Sequence, residues 1–302
     1  MRDEFAALPT EQRNPRSMRL DVMSTREIVA LMNEEDAGVA AAVRRAVAEI
    51  ARAADLIADR IRHGGRVFYV GAGTSGRVAL LDAAEWPPTF GTSPDLAQVV
   101  IAGGAGAGVQ SAAPLEDDAE LGARDLATRA PGPGDVVIGL AASGRTPYVL
   151  GALRRAREAG AATVAVCSNP RTPMTTAADI AIVADTGPEV LTGSTRMKAG
   201  TAQKMILNML STAAMVRLGK VYSNLMVDMA PANEKLLERA KRTVAEAAGV
   251  STAEAARVLE AGGRRVKTAI VMAVRRCGAA EADAALARAG GLIRRALEER
   301  GA

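Results

Sequence analysis

The chain has 302 residues, of which 49% are apolar, 24% charged and only 2% aromatic, with a formal net charge of +4; this is a globular profile, long enough to build its core without staples. Two cysteines cannot frame a disulfide scaffold or a metal knot, and a single histidine excludes a multi-histidine metal site or a serine-histidine-aspartate triad away from His63. The scarcity of aromatics leaves little for base stacking.

In chain order, the N-terminal residues MRDEFAALPTEQRNPRS read as part of a polar arm to about Arg19 that lacks an apolar signal core, which predicts a cytoplasmic protein. A short helix is expected near Thr25 to Met32. A longer one is expected from about Asp36 to Arg62, where Val39, Val43, Val47, Ile50, Ile57 and Ile61 make one apolar stripe that stops at Gly64 and Gly65. His63, at that helix end, reads as structural or solvent-exposed. Short apolar strands then alternate with helices: Val67 to Val70, Gln98 to Ala102, Asp135 to Leu140, Thr163 to Cys167 and Ile180 to Val183. Strands apolar throughout and separated by helices predict an α/β fold, a parallel sheet sandwiched by helices on both faces.

The apolar stretch Met205 to Leu218 is interrupted by Asn208, Ser211, Thr212 and Arg217 and is too short to span a bilayer, so no membrane partner is expected. After Met229 the pattern is wholly helical, with Pro231 at the boundary of a small all-helical C-terminal module. From Arg239 to Ala302 there are 13 Lys and Arg against 7 Asp and Glu. These cations recur between alanines on helical faces, the pattern of solvated surface, so no nucleic-acid partner is expected.

Three loops carry phosphate-site chemistry, and each is expected to follow a strand and open a helix, at the strand ends where ligands bind on such sheets. The richest is GPEVLTGSTRMKAGTAQK, Gly187 to Lys204, with the hydroxyls of Ser194, Thr195 and Thr201, the cations Arg196, Lys198 and Lys204, the carboxylate of Glu189, and the free N–H groups expected at the start of the following helix. A helix cap needs only one hydroxyl. The others are GAGTSGR, with Thr74, Ser75 and Arg77, and AASGRTPYV, with Ser143 and Thr146. GAGTSGR also fits G-x-G-x-x-G, yet the second strand ends in Gly103 and Gly104 rather than in the acidic residue that would hold a ribose. The hydroxyls suit one compact phosphate monoester better than a pyrophosphate.

Proton transfer in such a site would fall to Glu, Asp, Lys or Tyr. Glu85, in AAEWPPTFG, is expected to end its helix where Pro87 and Pro88 turn the chain away, and Glu116 opens LEDDAELG after a glycine-rich stretch. Spacing alone favours an ordinary surface residue for Glu85 and a first-turn acid for Glu116.

GAGTSGR, AEWPPTFG, GLAASGRTPYV, EVLTGSTRMKAGTAQK, KVYSNLMVD and NEKL, in this order and spacing, closely resemble the N-acetylmuramic acid 6-phosphate etherases, which carry a sugar isomerase (SIS) domain. The resemblance runs from about Thr10 to the C-terminus. It implies a three-layer αβα fold, divided as an N-terminal arm and helices over 1–60, a sugar-phosphate-binding domain over 61–229 and the helical module over 230–302. It also implies hydrolysis of the D-lactyl ether of N-acetylmuramic acid 6-phosphate to N-acetylglucosamine 6-phosphate and D-lactate, with the two catalytic glutamates falling on Glu85 and Glu116; the chemistry assigns Glu85 as proton donor and Glu116 as the partner acid or base. Two positions depart from the pattern: Trp86, usually Cys, adds bulk beside a proposed acid, and Ala113 stands where another Glu is usual.

The reaction is an elimination followed by hydration, so no cofactor or metal is expected. A sugar-phosphate-sensing regulator and an aldose-ketose isomerase stand as alternatives. From Gly76 to Glu85 a regular helix advances about 13 Å, a long reach from a phosphate at its start, which predicts a site shared between subunits of a homodimer. The helix around Met205 to Met215 is the interface expected, with burial in the core an equal competitor.

Overall fold

The computed structural model describes residues 7–104, 106, 113–229 and 233–298; Pro231 and, in the glycine-rich stretch before Glu116, Ala105, Ala107 and Gly108 lie outside them. The five apolar runs form one parallel sheet: β1 (Val67–Gly71), β2 (Ala97–Ile101), β3 (Val136–Leu140), β4 (Ala162–Cys167) and β5 (Ile180–Val183), in the order β2-β1-β3-β4-β5. β1 and β3 are buried at every position, as central strands covered on both faces must be, whereas the edge strands β2 and β5 are half-buried in part.

Before the sheet come α1 (Thr25–Asp36), α2 (Val39–Arg44) and α3 (Val47–Arg62). α1 starts in a capping box between Ser24 and Glu27. The single long helix expected from Asp36 is therefore two. At Arg45 and Ala46 the chain tightens, Ala46 N–H bonding Val43 O, while the Arg45 guanidinium reaches Asp185 O at 2.8 Å. The break shifts the helical phase: Val39, Val43, Ile50 and Ile57 are buried, but Val47 is 49% exposed.

α4 (Gly73–Phe90) follows β1, α5 (Ala119–Ala127) precedes β3, and α6 (Pro147–Glu158), α7 (Pro173–Ala177) and α8 (Lys198–Arg217) follow β3, β4 and β5. Contrary to expectation, α4 does not end at Glu85 but continues through Pro87 and Pro88 to Phe90. Each proline removes one i→i−4 bond, and the helix continues past them to close with the Gly91 N–H on Pro87 O at 2.9 Å. α6 packs directly on the sheet at Gly139, where a Cβ would lie 2.7 Å from Val149 Cγ1. Phe68, Val70, Val137 and Ala165 share one core with Leu126, Tyr148, Val149, Ala152 and Leu153.

The chain divides into two units: residues up to 83 with 95–211, and 84–94 with 212 onward. In the second, a hairpin of β6 (Val221–Tyr222) and β7 (Leu225–Met226) precedes α9 (Glu234–Ala248), α10 (Thr252–Ala261), α11 (Val266–Arg275), α12 (Ala279–Arg288) and α13 (Ile293–Glu298). Val244, Val258, Leu259, Val266, Ile270 and Leu286 build its core. Segment 84–94 joins it where Gly91 meets Asp228: a Cβ on Gly91 would lie 2.2 Å from Asp228 O, and Asp228 is itself paired with Lys220 and Lys267. Among the described residues no helix is long and apolar enough to cross a membrane.

Candidate active site

Strands β1 and β3 lie side by side with Gly71 paired to Leu140, so loop 1 (residues 71–77) and loop 2 (141–147) leave the sheet at the same level. The connections run to opposite sides from these two strands, which makes the gap between them the switch point where open α/β sheets bind ligands.

Loop 1 is tight. α4 begins two residues past the strand, with Gly73 at φ +51°, and a Cβ on Gly71 would lie 2.8 Å from Gly76 N. Thr74 and Ser75 therefore sit in the first helical turn, whose N–H groups have no partner within the helix, a natural seat for an anion. Ser75 is buried, while Thr74 and Arg77 are half-buried.

In loop 2 the Ser143 hydroxyl accepts the Arg145 N–H at 3.2 Å and keeps its own proton to donate. Thr146 occupies the N-cap position of α6 without a side-chain cap bond. Gly144, at φ +68°, is pressed against Thr172, where a Cβ would meet Oγ1 at 2.3 Å.

Loop 3 (184–197) leaves β5, yet α8 returns toward loop 1: a Cβ on Gly200 would lie 3.4 Å from Thr74 Cγ2. Here the structure corrects an expectation. The first N–H groups of α8 are not free, because the buried Glu189 accepts those of Lys198 and Ala199, each at 3.0 Å, and Thr195 O accepts that of Gly200. Glu189 is wholly buried. Burial lifts its carboxyl above the usual range, although these bonds and the Lys198 charge oppose the shift. Lys198 is also committed, its Nζ lying 2.7 Å from Glu35 Oε2 with only 5% of the side chain exposed. The Thr201 hydroxyl donates back to Met197 O. Ser194 and Thr195 are half-buried, Arg196 is exposed, and the exposed Lys204 donates to Asn208 Oδ1 at 2.8 Å.

Glu116 lies before the first turn of α5, not in it, since Asp118 is the N-cap. Its carbonyl accepts the Tyr148 N–H at 3.0 Å, which holds it two residues from Thr146. Its side chain is half-buried, and burial followed by the Asp117 charge raises its carboxyl above the usual range. Tyr148, whose own hydroxyl donates to Asp125 at 2.7 Å, thus joins Glu116 and loop 2. Glu85 belongs to the second unit, with an exposed side chain, while its neighbour Trp86 is buried. The Trp86 ring therefore goes into the interior while the carboxylate stays outside.

Loops 1 and 2, the start of α8 and Glu116 are thus gathered in the first unit. Sequence reasoning passed over the buried groups behind the loops, chiefly Asn169, Thr10 and Glu35. Asn169 follows an apolar strand at its carboxyl end, the position that singled out the loops, and was open to the same reading.

Two family models match the chain, the glucokinase regulatory protein N-terminal SIS domain over residues 49–157 and the SIS domain over 123–213. N-acetylmuramic acid 6-phosphate etherase from Symbiobacterium thermophilum is 59% identical over 89% of this chain and 89% of its own length. The enzymes of that name from Geobacillus thermodenitrificans and Mycolicibacterium smegmatis are 54% and 52% identical, covering 96% and 97% of this chain and 99% of each relative. A phosphoheptose isomerase from Francisella tularensis shares the fold, with a TM-score of 0.52 and 17% identity over 64% of this chain and 98% of its own. One from Neisseria gonorrhoeae does so with a TM-score of 0.50 and 17% identity over 63% and 98%.

Proposed function

Because the chain belongs to the N-acetylmuramic acid 6-phosphate etherase family, we propose that it cleaves the D-lactyl ether of N-acetylmuramic acid 6-phosphate with water, giving N-acetylglucosamine 6-phosphate and D-lactate. The identity of 59% over nearly nine-tenths of the chain carries this reading.

In the ring-opened sugar the C1 aldehyde acidifies the C2 proton. Glu116 takes that proton, the C3–O bond breaks as the C2=C3 double bond forms, and Glu85 protonates the departing lactate oxygen. Water then adds across the double bond, its hydroxyl going to C3 and a proton to C2. The raised carboxyl of Glu116 supports a part in proton transfer near neutrality, as acid or as base, and the base role is the one proposed.

The phosphate is held by the N–H groups and hydroxyls of Thr74 and Ser75, with Ser143, Thr146, Ser194 and Thr195 as further donors and Arg77 and Lys204 as cations. Glu189 acts from behind, by holding the start of α8. The protein is proposed to work as a cytoplasmic homodimer in peptidoglycan amino-sugar recycling. On α8, Ile206, Leu207, Leu210, Ala214 and Met215 are buried, so the half-buried Met205 and the exposed Met209, Ala213 and Val216 are the apolar residues left for an interface.

The test is D-lactate release from N-acetylmuramic acid 6-phosphate by the purified protein, with Glu85→Gln and Glu116→Gln in parallel. The expected result is lactate from the parent and about 10²- to 10⁴-fold less from either variant. An isomerised sugar would instead identify an aldose-ketose isomerase. Sugar-phosphate binding without any product would identify a regulator.

A further inference from the structure

The N-terminal segment, read from sequence only as a polar arm, is built into the back of two of the loops. It runs through short 3-10 turns at Pro9–Glu11 and Pro15–Ser17, and Thr10 and Asn14 are 1% and 3% exposed.

Thr10 meets Asn169, which follows β4 and is wholly buried. The Asn169 carboxamide oxygen accepts the Thr10 N–H at 3.2 Å, and its nitrogen donates to Thr10 Oγ1 at 2.9 Å and to Ala142 O at 3.0 Å. Both amide protons are thereby used, one on the N-terminal segment and one on loop 2. Ala142 O accepts a second bond, from Ser168 N–H, so both its lone pairs are engaged directly before Ser143.

Four residues beyond Thr10, Asn14 does the same for loop 3. Its side-chain nitrogen donates to Pro188 O at 3.3 Å and to Glu35 Oε2 at 2.9 Å. Glu35 in turn holds Lys198. Pro188 immediately precedes Glu189, the residue that caps α8.

We propose that residues 10–16 are a positioning strap for the substrate loops, fastened to loop 2 through Asn169 and to loop 3 through Asn14. The strap touches no substrate. Buried, saturated hydrogen bonds fix a single geometry where apolar packing would tolerate several, and the geometry fixed here is that of the backbone bearing Ser143 and Thr146. The proposal rests on these loops holding the substrate phosphate.

Thr10→Val keeps the shape of the side chain but leaves one Asn169 proton without an acceptor. It is expected to raise KM about five- to tenfold and to weaken binding of inorganic phosphate in parallel, with kcat kept within about twofold. Thr10→Ser restores the hydroxyl and is expected to match the parent. Asn169→Ala is expected to act in the same direction, and the double variant to fall short of the product of the two effects. Should Asn169→Ala not fold, the Thr10 pair carries the test alone.

Unchanged KM and phosphate affinity in Thr10→Val, with only a lowered melting temperature or kcat, would overturn the strap. A parent that binds phosphate but releases no lactate defeats the etherase reading instead, and phosphate affinity then decides the strap. A parent that binds no phosphate and releases no lactate defeats both.

Discussion

Gly122 passes so close to Tyr148 that a Cβ on it would lie 1.9 Å from the Tyr148 carbonyl oxygen. The contact is matched a turn away, where a Cβ on Gly151 would lie 1.8 Å from Ala119 O. α5 and α6 thus touch backbone to backbone, and this contact sets the distance from Glu116 to loop 2. Neither oxygen can swing aside as a side chain would. Gly122→Ala and Gly151→Ala are each expected to cost about 2 to 3 kcal/mol, read as a lowered denaturant midpoint, and to reduce lactate release through misplacement of Glu116. An alanine variant with parental stability would show that the helices separate freely.

The Asp117 charge is the second cause of the raised Glu116 carboxyl, after burial. A base must be ionised, so activity falls as pH drops through its pKa. Asp117→Asn lowers that pKa and is expected to move the acid limb of the kcat/KM profile to lower pH, leaving the plateau near its parental height. A limb that stays in place would remove Glu116 from the base role.

Among the described residues, Glu189 supplies the acceptors for the Lys198 and Ala199 N–H groups. Glu189→Ala leaves two buried donors without partners, and about 2 to 4 kcal/mol of stability is expected to be lost in equilibrium unfolding. Glu189→Gln keeps one acceptor oxygen and is expected to lose less. Equal losses in the two variants would mean that the helix start finds other acceptors.

Asp135 lies 2.9 Å from the Arg66 guanidinium and also accepts the N–H groups of Gly132 and Arg66. Burial opposes its ionisation, but these bonds outweigh it and hold the carboxyl below the usual range. A group whose pKa is depressed by folding stabilises the fold above its unfolded pKa of about 3.9 and loses that contribution as pH falls through the folded value. Asp135→Asn is therefore expected to destabilise at neutral pH, by about 2 kcal/mol with partial solvent screening of Arg66, and to lose less additional stability than the parent on acidification below about pH 4. Parallel melting curves for the two proteins between pH 7 and 3 would count against this account.

The strands were legible because burial on both faces leaves a plain mark: Val67 to Val70 and Val136 to Leu140 have almost no polar choice open to them. Family motifs such as GAGTSGR and EVLTGSTRMKAGTAQK pointed to the etherases. What stayed hidden was which donors and acceptors the chain spends on itself. Residue types at Gly187 to Lys204 suggest a ready anion site, and nothing local reveals that Glu189 satisfies the start of α8 or that Lys198 turns to Glu35, 163 residues away in the chain. The break at Arg45 was hidden for the same reason. It leaves the spacing of valines and isoleucines intact while a distant partner, Asp185 O, holds the turn.

Segment 84–94 belongs with residues beyond 212, although the ribosome delivers it before β2. During synthesis the sheet can assemble as its strands emerge, but this segment must wait for more than a hundred further residues before its own unit exists. Trp86 and Phe90, buried in the finished protein, both lie in this segment. A chain stalled near residue 211 would hold the whole of the first unit but only residues 84–94 of the second, so one unit is complete in sequence while the other is barely begun.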